Sequence, residues 1–128
     1  MIYQLTNYLK VQLNTYIFVS EGFLPKSSDN SIAIRQGPGQ DSHFDIRTDF
    51  SVQIISRNVD IVVGKVAIDA VYNLLKNRFG LVLPTVTVDS VVYPELTTSQ
   101  ITPNQTPSKM GTDENNRWLW VFNSTIII

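Results

Sequence analysis

A chain of 128 residues, 43% hydrophobic and 16% charged, is long enough to bury the core of one domain and too apolar to stay disordered. Ten Lys or Arg against eleven Asp or Glu leave a net charge of −1, which excludes a general attraction to nucleic-acid phosphates. Having no cysteine rules out disulfides, thiolate metal sites and thiol nucleophiles, and the longest apolar run, 118–122, is far short of the ~20 residues that span a bilayer.

Residues 2–14 place Ile2, Leu5, Leu9 and Leu13 at steps of three and four, which predicts a short amphipathic helix. The start, Met1-Ile2-Tyr3-Gln4, has neither the basic residues nor the apolar stretch of a secretory signal, so a protein that stays in the cytoplasm is expected. The β-branched and aromatic run Tyr16-Ile17-Phe18-Val19 reads as a first strand, ending near Glu21-Gly22. Residues 25–31 read as a polar loop, 32–35 as a short strand, and Gly37-Pro38-Gly39 as a turn. From 44 to 57 the chain alternates, with Phe50, Val52 and Ile54 on one face and Ser51, Gln53 and Ile55 on the other, which predicts the longest strand.

A second helix is predicted over 59–79. Asn58 would cap it, Asp60 and the pair Lys76 and Arg78 have the charges each end of a helix dipole favours, and Gly80 would stop it. Val59, Val63, Val66, Ala70 and Leu74 form the stripe expected to face the core, while Gly64 and Ala67 leave a shallow side that another backbone could approach. Residues 85–93 alternate as a strand closed by Pro94, and 95–116, rich in Thr, Ser, Pro, Asn and Gly, read as a long loop. The last strand, 117–125, carries Trp118, Trp120 and Phe122 on one face and Leu119, Val121 and Asn123 on the other. Both faces are largely apolar, as though one were covered by something besides the protein's own core. This order predicts a single α+β domain over 1–128, with an antiparallel or mixed β-sheet and two helices packed on one face.

No constellation of catalytic residues stands out. The single histidine, His43, sits in a polar turn and reads as a solvated side chain, and Gly37 to Ser42 lack the Lys-Ser or Lys-Thr pair of a phosphate loop. Asp41, Asp45 and Asp49 at steps of four around a strand do not converge as cation ligands must, and Asp113-Glu114-Asn115-Asn116 reads as a polar turn. The Trp118, Trp120 and Phe122 face lacks the interleaved Lys or Arg of a base-stacking platform, so packing is the better reading. No catalytic, cofactor-binding or metal-ligating residue is therefore assigned, and no cofactor is expected.

Residues 50–57, Phe-Ser-Val-Gln-Ile-Ile-Ser-Arg, followed by Asp60 and the helix segment Ala67-Ile68-Asp69-Ala70-Val71-Tyr72-Asn73-Leu74-Leu75, resemble the core of the phage tail terminator and minor capsid group. Pro94, then Gly111-Thr112-Asp113-Glu114-Asn115-Asn116-Arg117 and an aromatic strand, are similar to the closing segment of that family. The resemblance implies a structural virion protein and no enzyme: a ring, typically of six copies, that sits on the last tail-tube ring, halts tube polymerisation and offers a surface to the head connector. Its implied partners are further copies of itself, the tail-tube protein and a connector or head-completion protein, with DNA only passing through the lumen and no membrane. Assembly in the host cytoplasm follows from the same resemblance. Interface candidates on this reading are Arg57, Leu96, Ile101, Met110, Arg117, Leu119 and Val121, with 95–110 as a contact arm. A different neck or connector adaptor is the nearest alternative, and a small monomeric ligand-binding or enzymatic domain is the alternative of another class.

Overall fold

A computed structural model describes residues 1–14, 16–19, 31–41 and 48–128. The predicted loop at 25–31 apart from Ser31, His43, Asp45 and the start of the predicted strand at 44–47 lie outside the described residues. Helix α1 (Ile2–Gln12) buries Leu5 and Leu9, one turn apart, on the face that the spacing predicts. Strand β1 (Ile17–Val19) runs parallel to β2 (Ser31–Asp41), which pairs antiparallel with β3 (Thr48–Asn58). Residues 37–39 are not a turn: β2 continues through them, and the register with β3 shifts by a bulge between Gln36 and Gly39. An inserted residue lets a strand absorb Gly-Pro-Gly without ending.

Helix α2 (Ile61–Leu75) is shorter at both ends than the spacing predicts. Its cap is Asp60, whose carboxylate accepts from the N–H groups of Val62 and Val63, while Asn58 is the last residue of β3 and accepts from the Asp60 N–H. Beyond Lys76, Asn77 takes a left-handed φ of 52°, and Arg78–Phe79 form β4. Gly80, at φ 64°, therefore turns the chain between β4 and β5 (Val82–Leu83) rather than ending the helix.

The predicted strand at 85–93 is a hairpin of β6 (Val86–Val88) and β7 (Val91–Tyr93). Asp89 and Ser90 both have positive φ, 50° and 65°, as a two-residue hairpin turn requires. Residues 95–116 are not one loop but carry β8 (Leu96–Thr97), β9 (Gln100–Pro103) and β10 (Ser108–Thr112). The final strand, β11 (Trp118–Ile127), matches its prediction and extends two residues further.

The main sheet has the order β1-β2-β3-β11-β9-β4, with β10 also on β11. It is mixed, since β1–β2 is parallel and the remaining pairs are antiparallel. One side of β11 pairs with β3 from Trp118 to Ile127, and the other side is shared by β10 near Trp118–Val121 and β9 near Ser124–Ile127. Small two-stranded sheets join β5 to β8 and β6 to β7.

Both helices lie on one face of the main sheet, giving the α+β architecture that the element order predicts. Leu5 and Leu9 of α1 and Ile68, Val71 and Leu75 of α2 meet Ile32, Ile34, Val52, Ile54, Phe122 and Ile126, all fully buried. Each such side chain contributes roughly 2 kcal/mol of transfer free energy before the cost of ordering the chain. On the opposite face Ala33 and Ile55 are buried as well, in register with half-buried Val121. The second apolar face of β11 thus continues across its neighbours.

Candidate assembly surfaces

Gly64 marks the closest approach of α2 to the sheet. A Cβ there would stand 3.2 Å from the Asn58 Cβ and 3.4 Å from Trp120 Cδ1, tighter than ordinary contact, so glycine eases the close approach of the helix. Trp120 Nε1 donates to the Ile61 carbonyl at 3.2 Å, and Ser56 Oγ donates to the Gly64 carbonyl at 3.0 Å, pinning the first turn to β3 and β11. Gly64, Ala67, Ile68, Val71 and Leu75 consequently face inward.

The stripe expected to face the core therefore points largely away from it. Val59, Val63 and Val66 are 55%, 45% and 57% exposed, and Val62 beside them is 66% exposed; Ala70 and Leu74 are half-buried. Lys65 bridges to Asp69 at 2.6 Å and lies over the Trp120 ring, so this charged pair flanks the valines without interrupting them. Val62, Val63 and Val66 on the first turns of α2, with Val59 just before its cap, are exposed apolar residues of the kind that mark an interaction surface.

At the same end of the sheet, Asp113 organises the β10–β11 turn. Its Oδ1 accepts from the N–H groups of Asn115 and Arg117 at 3.0 and 2.9 Å, and its Oδ2 accepts from Arg117 Nε at 2.9 Å, with Arg57 Nη1 at 4.0 Å. Asn116, at φ 58°, completes the turn. Burial pulls the Asp113 pKa upward, but the backbone N–H groups of Arg117 and Asn115, together with the Arg117 guanidinium bond and charge, outweigh it and hold the carboxyl below its ordinary value. A carboxylate held ionised between two arginines is a structural anchor and a poor proton donor.

The β6–β7 hairpin is a second apolar projection. Val91 and Val92 are 52% and 62% exposed at its tip, while Tyr93 stacks on Tyr3 with centroids 4.7 Å apart and Gln4 Nε2 donates to the Pro94 carbonyl at 3.1 Å. Among the described residues no three His, Asp or Glu side chains gather as metal ligands, and no helix is long and apolar enough to cross a membrane.

The family model for bacteriophage tail terminator proteins matches residues 5–128. The chain belongs to that family. No curated protein sequence matches it. Tail terminators are structural proteins of the virion tail, so association with other tail and virion proteins, rather than catalysis, is the role to read from these surfaces.

In this tail terminator the interface candidates are widely scattered. Arg57 and Arg117 are buried about Asp113, where they join β3 to the β10–β11 turn within one subunit. Ile101 is fully buried in the subunit's own core, so it has no surface to give a partner. Leu96, opposite Leu83 in the β5–β8 pair, packs against that core. Leu119 and Val121 are half-buried on β11 opposite Arg57 and Ile55, and Met110, on the bulged strand β10, is 56% exposed.

The contact arm expected at 95–110 is largely paired structure, with β9 hydrogen-bonded to both β11 and β4. Besides single exposed residues such as Val11, Phe79, Val82 and Met110, neighbouring exposed valines are found on α2 and on the β6–β7 hairpin, both missed as surfaces by sequence reasoning. Two signals could have found them: Asp89-Ser90 as a hairpin turn, and Gly64 as the place where the helix approaches an aromatic strand.

Proposed function

We propose that this tail terminator works as a single-domain subunit of a ring of six copies, seated on the last ring of the tail tube. The ring halts polymerisation because its far surface no longer matches a tube subunit, and that surface receives the head connector or head-completion protein. DNA meets the protein only in the lumen, in keeping with a net charge of −1, and assembly into the virion neck takes place in the host cytoplasm.

The observation that carries this reading is the outward valine face of α2, 45–66% exposed on a family member whose role is structural. A closed ring removes such a face from water and leaves no unsatisfied copy of it. The test is electron microscopy of the purified protein mixed with polymerising tail-tube protein. Tubes of limited length with a ring at one end are expected. Unlimited tubes, with the added protein monomeric and unattached, would overturn the proposal.

A further inference from the structure

We infer that the α2 valine stripe receives the β6–β7 hairpin of a second copy of this chain, head to tail. The inference rests on the ring reading above and names the two surfaces that would make each junction. Both are apolar, and they belong to different parts of the helix layer. α2 packs on β3 and β11, whereas the hairpin is held beside α1, which packs on β1 and β2. Two different patches that complement each other make a heterologous contact, which repeats from subunit to subunit until it closes; one self-complementary patch would stop at a two-fold dimer.

The hairpin has one face still open: α1 supports it through Tyr3 and Tyr93, but β6–β7 gains no third strand among the described residues. Val92 is exposed opposite Thr87 on one face and Val91 is exposed next to the turn, so the end of the ribbon offers two valines to a partner surface. A helix face of valines is a matching partner, being branched, shallow and uninterrupted by charge.

Charge favours the same pairing. No Lys or Arg occurs between Arg78 and Lys109, and the hairpin carries exposed Asp89 in its turn and is followed by exposed Glu95. On α2, the Asp60 carboxylate caps the positive end of the helix dipole, Lys65 and Asp69 bridge to one another, and exposed Lys76 and Arg78 leave the stretch from Asp60 to Arg78 net positive. An acidic ribbon approaching this helix is attracted, and the reverse contacts, helix to helix or ribbon to ribbon, bring like surfaces together.

The test uses the full chain with Val66→Glu on the stripe or Val92→Glu on the hairpin, both at exposed positions, with folding checked by circular dichroism. Each variant alone is expected to lose ring formation in analytical ultracentrifugation and on tail tubes. An equimolar mixture retains one intact junction per pair, so cross-linking should trap dimers and nothing larger. If either glutamate variant misfolds, Val66→Ala and Val92→Ala replace them and should each raise the concentration needed for assembly about tenfold.

Wild-type rings with either variant assembling normally, or a mixture giving no more dimer than the variants alone, would overturn the junction and leave the ring intact. Wild type that stays monomeric with and without tail tubes would instead overturn the ring itself.

Discussion

Replacing Asp113 probes the anchor that ties β3 to the β10–β11 turn. Asp113→Asn keeps an Oδ1 acceptor for the Asn115 and Arg117 N–H groups but removes the charge facing Arg117 Nε at 2.9 Å and Arg57 at 4.0 Å. One charge-assisted hydrogen bond contributes roughly 1.5–3 kcal/mol, and the partly exposed carboxylate and the long Arg57 contact keep the sum near the lower half, at about 2 kcal/mol. Asp113→Ala also strands two backbone donors at about 1 kcal/mol each, for a total of about 4 kcal/mol. For a domain of this size these losses lower Tm by about 8 and 15 °C, read by calorimetry below the assembly concentration.

The pH dependence has a definite sign. Because the folded-state pKa is depressed, the stabilisation is full above the unfolded value near 4 and disappears as pH falls through the lower folded value. The gap between wild type and Asp113→Asn should close across that acidic window. An Asp113→Asn protein within about 0.5 kcal/mol of wild type at pH 7, or a gap unchanged down to pH 2, would refute the reasoning.

Asp60→Ala, which removes the carboxylate accepting from Val62 and Val63, should cost about 1 kcal/mol in urea unfolding, and no loss would mean that the cap is idle. Phe122→Ala, vacating the centre of β11 and the edge-on contact with Tyr72 at 5.6 Å, should cost about 4 kcal/mol; a loss under 1 kcal/mol would contradict the packing. Ser90→Gly should raise stability by about 1 kcal/mol, because Ser90 sits at φ 65° where glycine is unstrained, and a lowered Tm would argue against this turn.

The fold class, the first helix and the final strand were legible because each has an apolar period long enough to repeat. The facing of α2 was not. Its sequence is apolar on nearly every side, so 59-63-66-70-74 and 64-67-68-71-75 are equally good stripes, and the choice between them lies in the contact of Gly64 with Trp120, some 56 positions away. The strands within 95–116 were hidden for a related reason: β8 to β10 are two to five residues long and are held by distant partners such as Leu83, Ile126 and Trp120. The Thr and Pro content there favours loops locally, and tertiary pairing overrides it.

The position of β11 bears on how the protein comes into being. It is the last strand in chain order, yet it lies between β3, made some sixty residues earlier, and the two strands β9 and β10 that precede it. During synthesis the β2–β3 pair waits with one long edge open, and two fully buried members of the core, Phe122 and Ile126, are still missing. Such distant pairing is slow to form, and an uncovered edge invites wrong partners. A chain cut short before residue 122 lacks the Phe122 and Ile126 side chains of the core and leaves most of the β3 edge unpaired, so the sheet closes only when the final strand is complete.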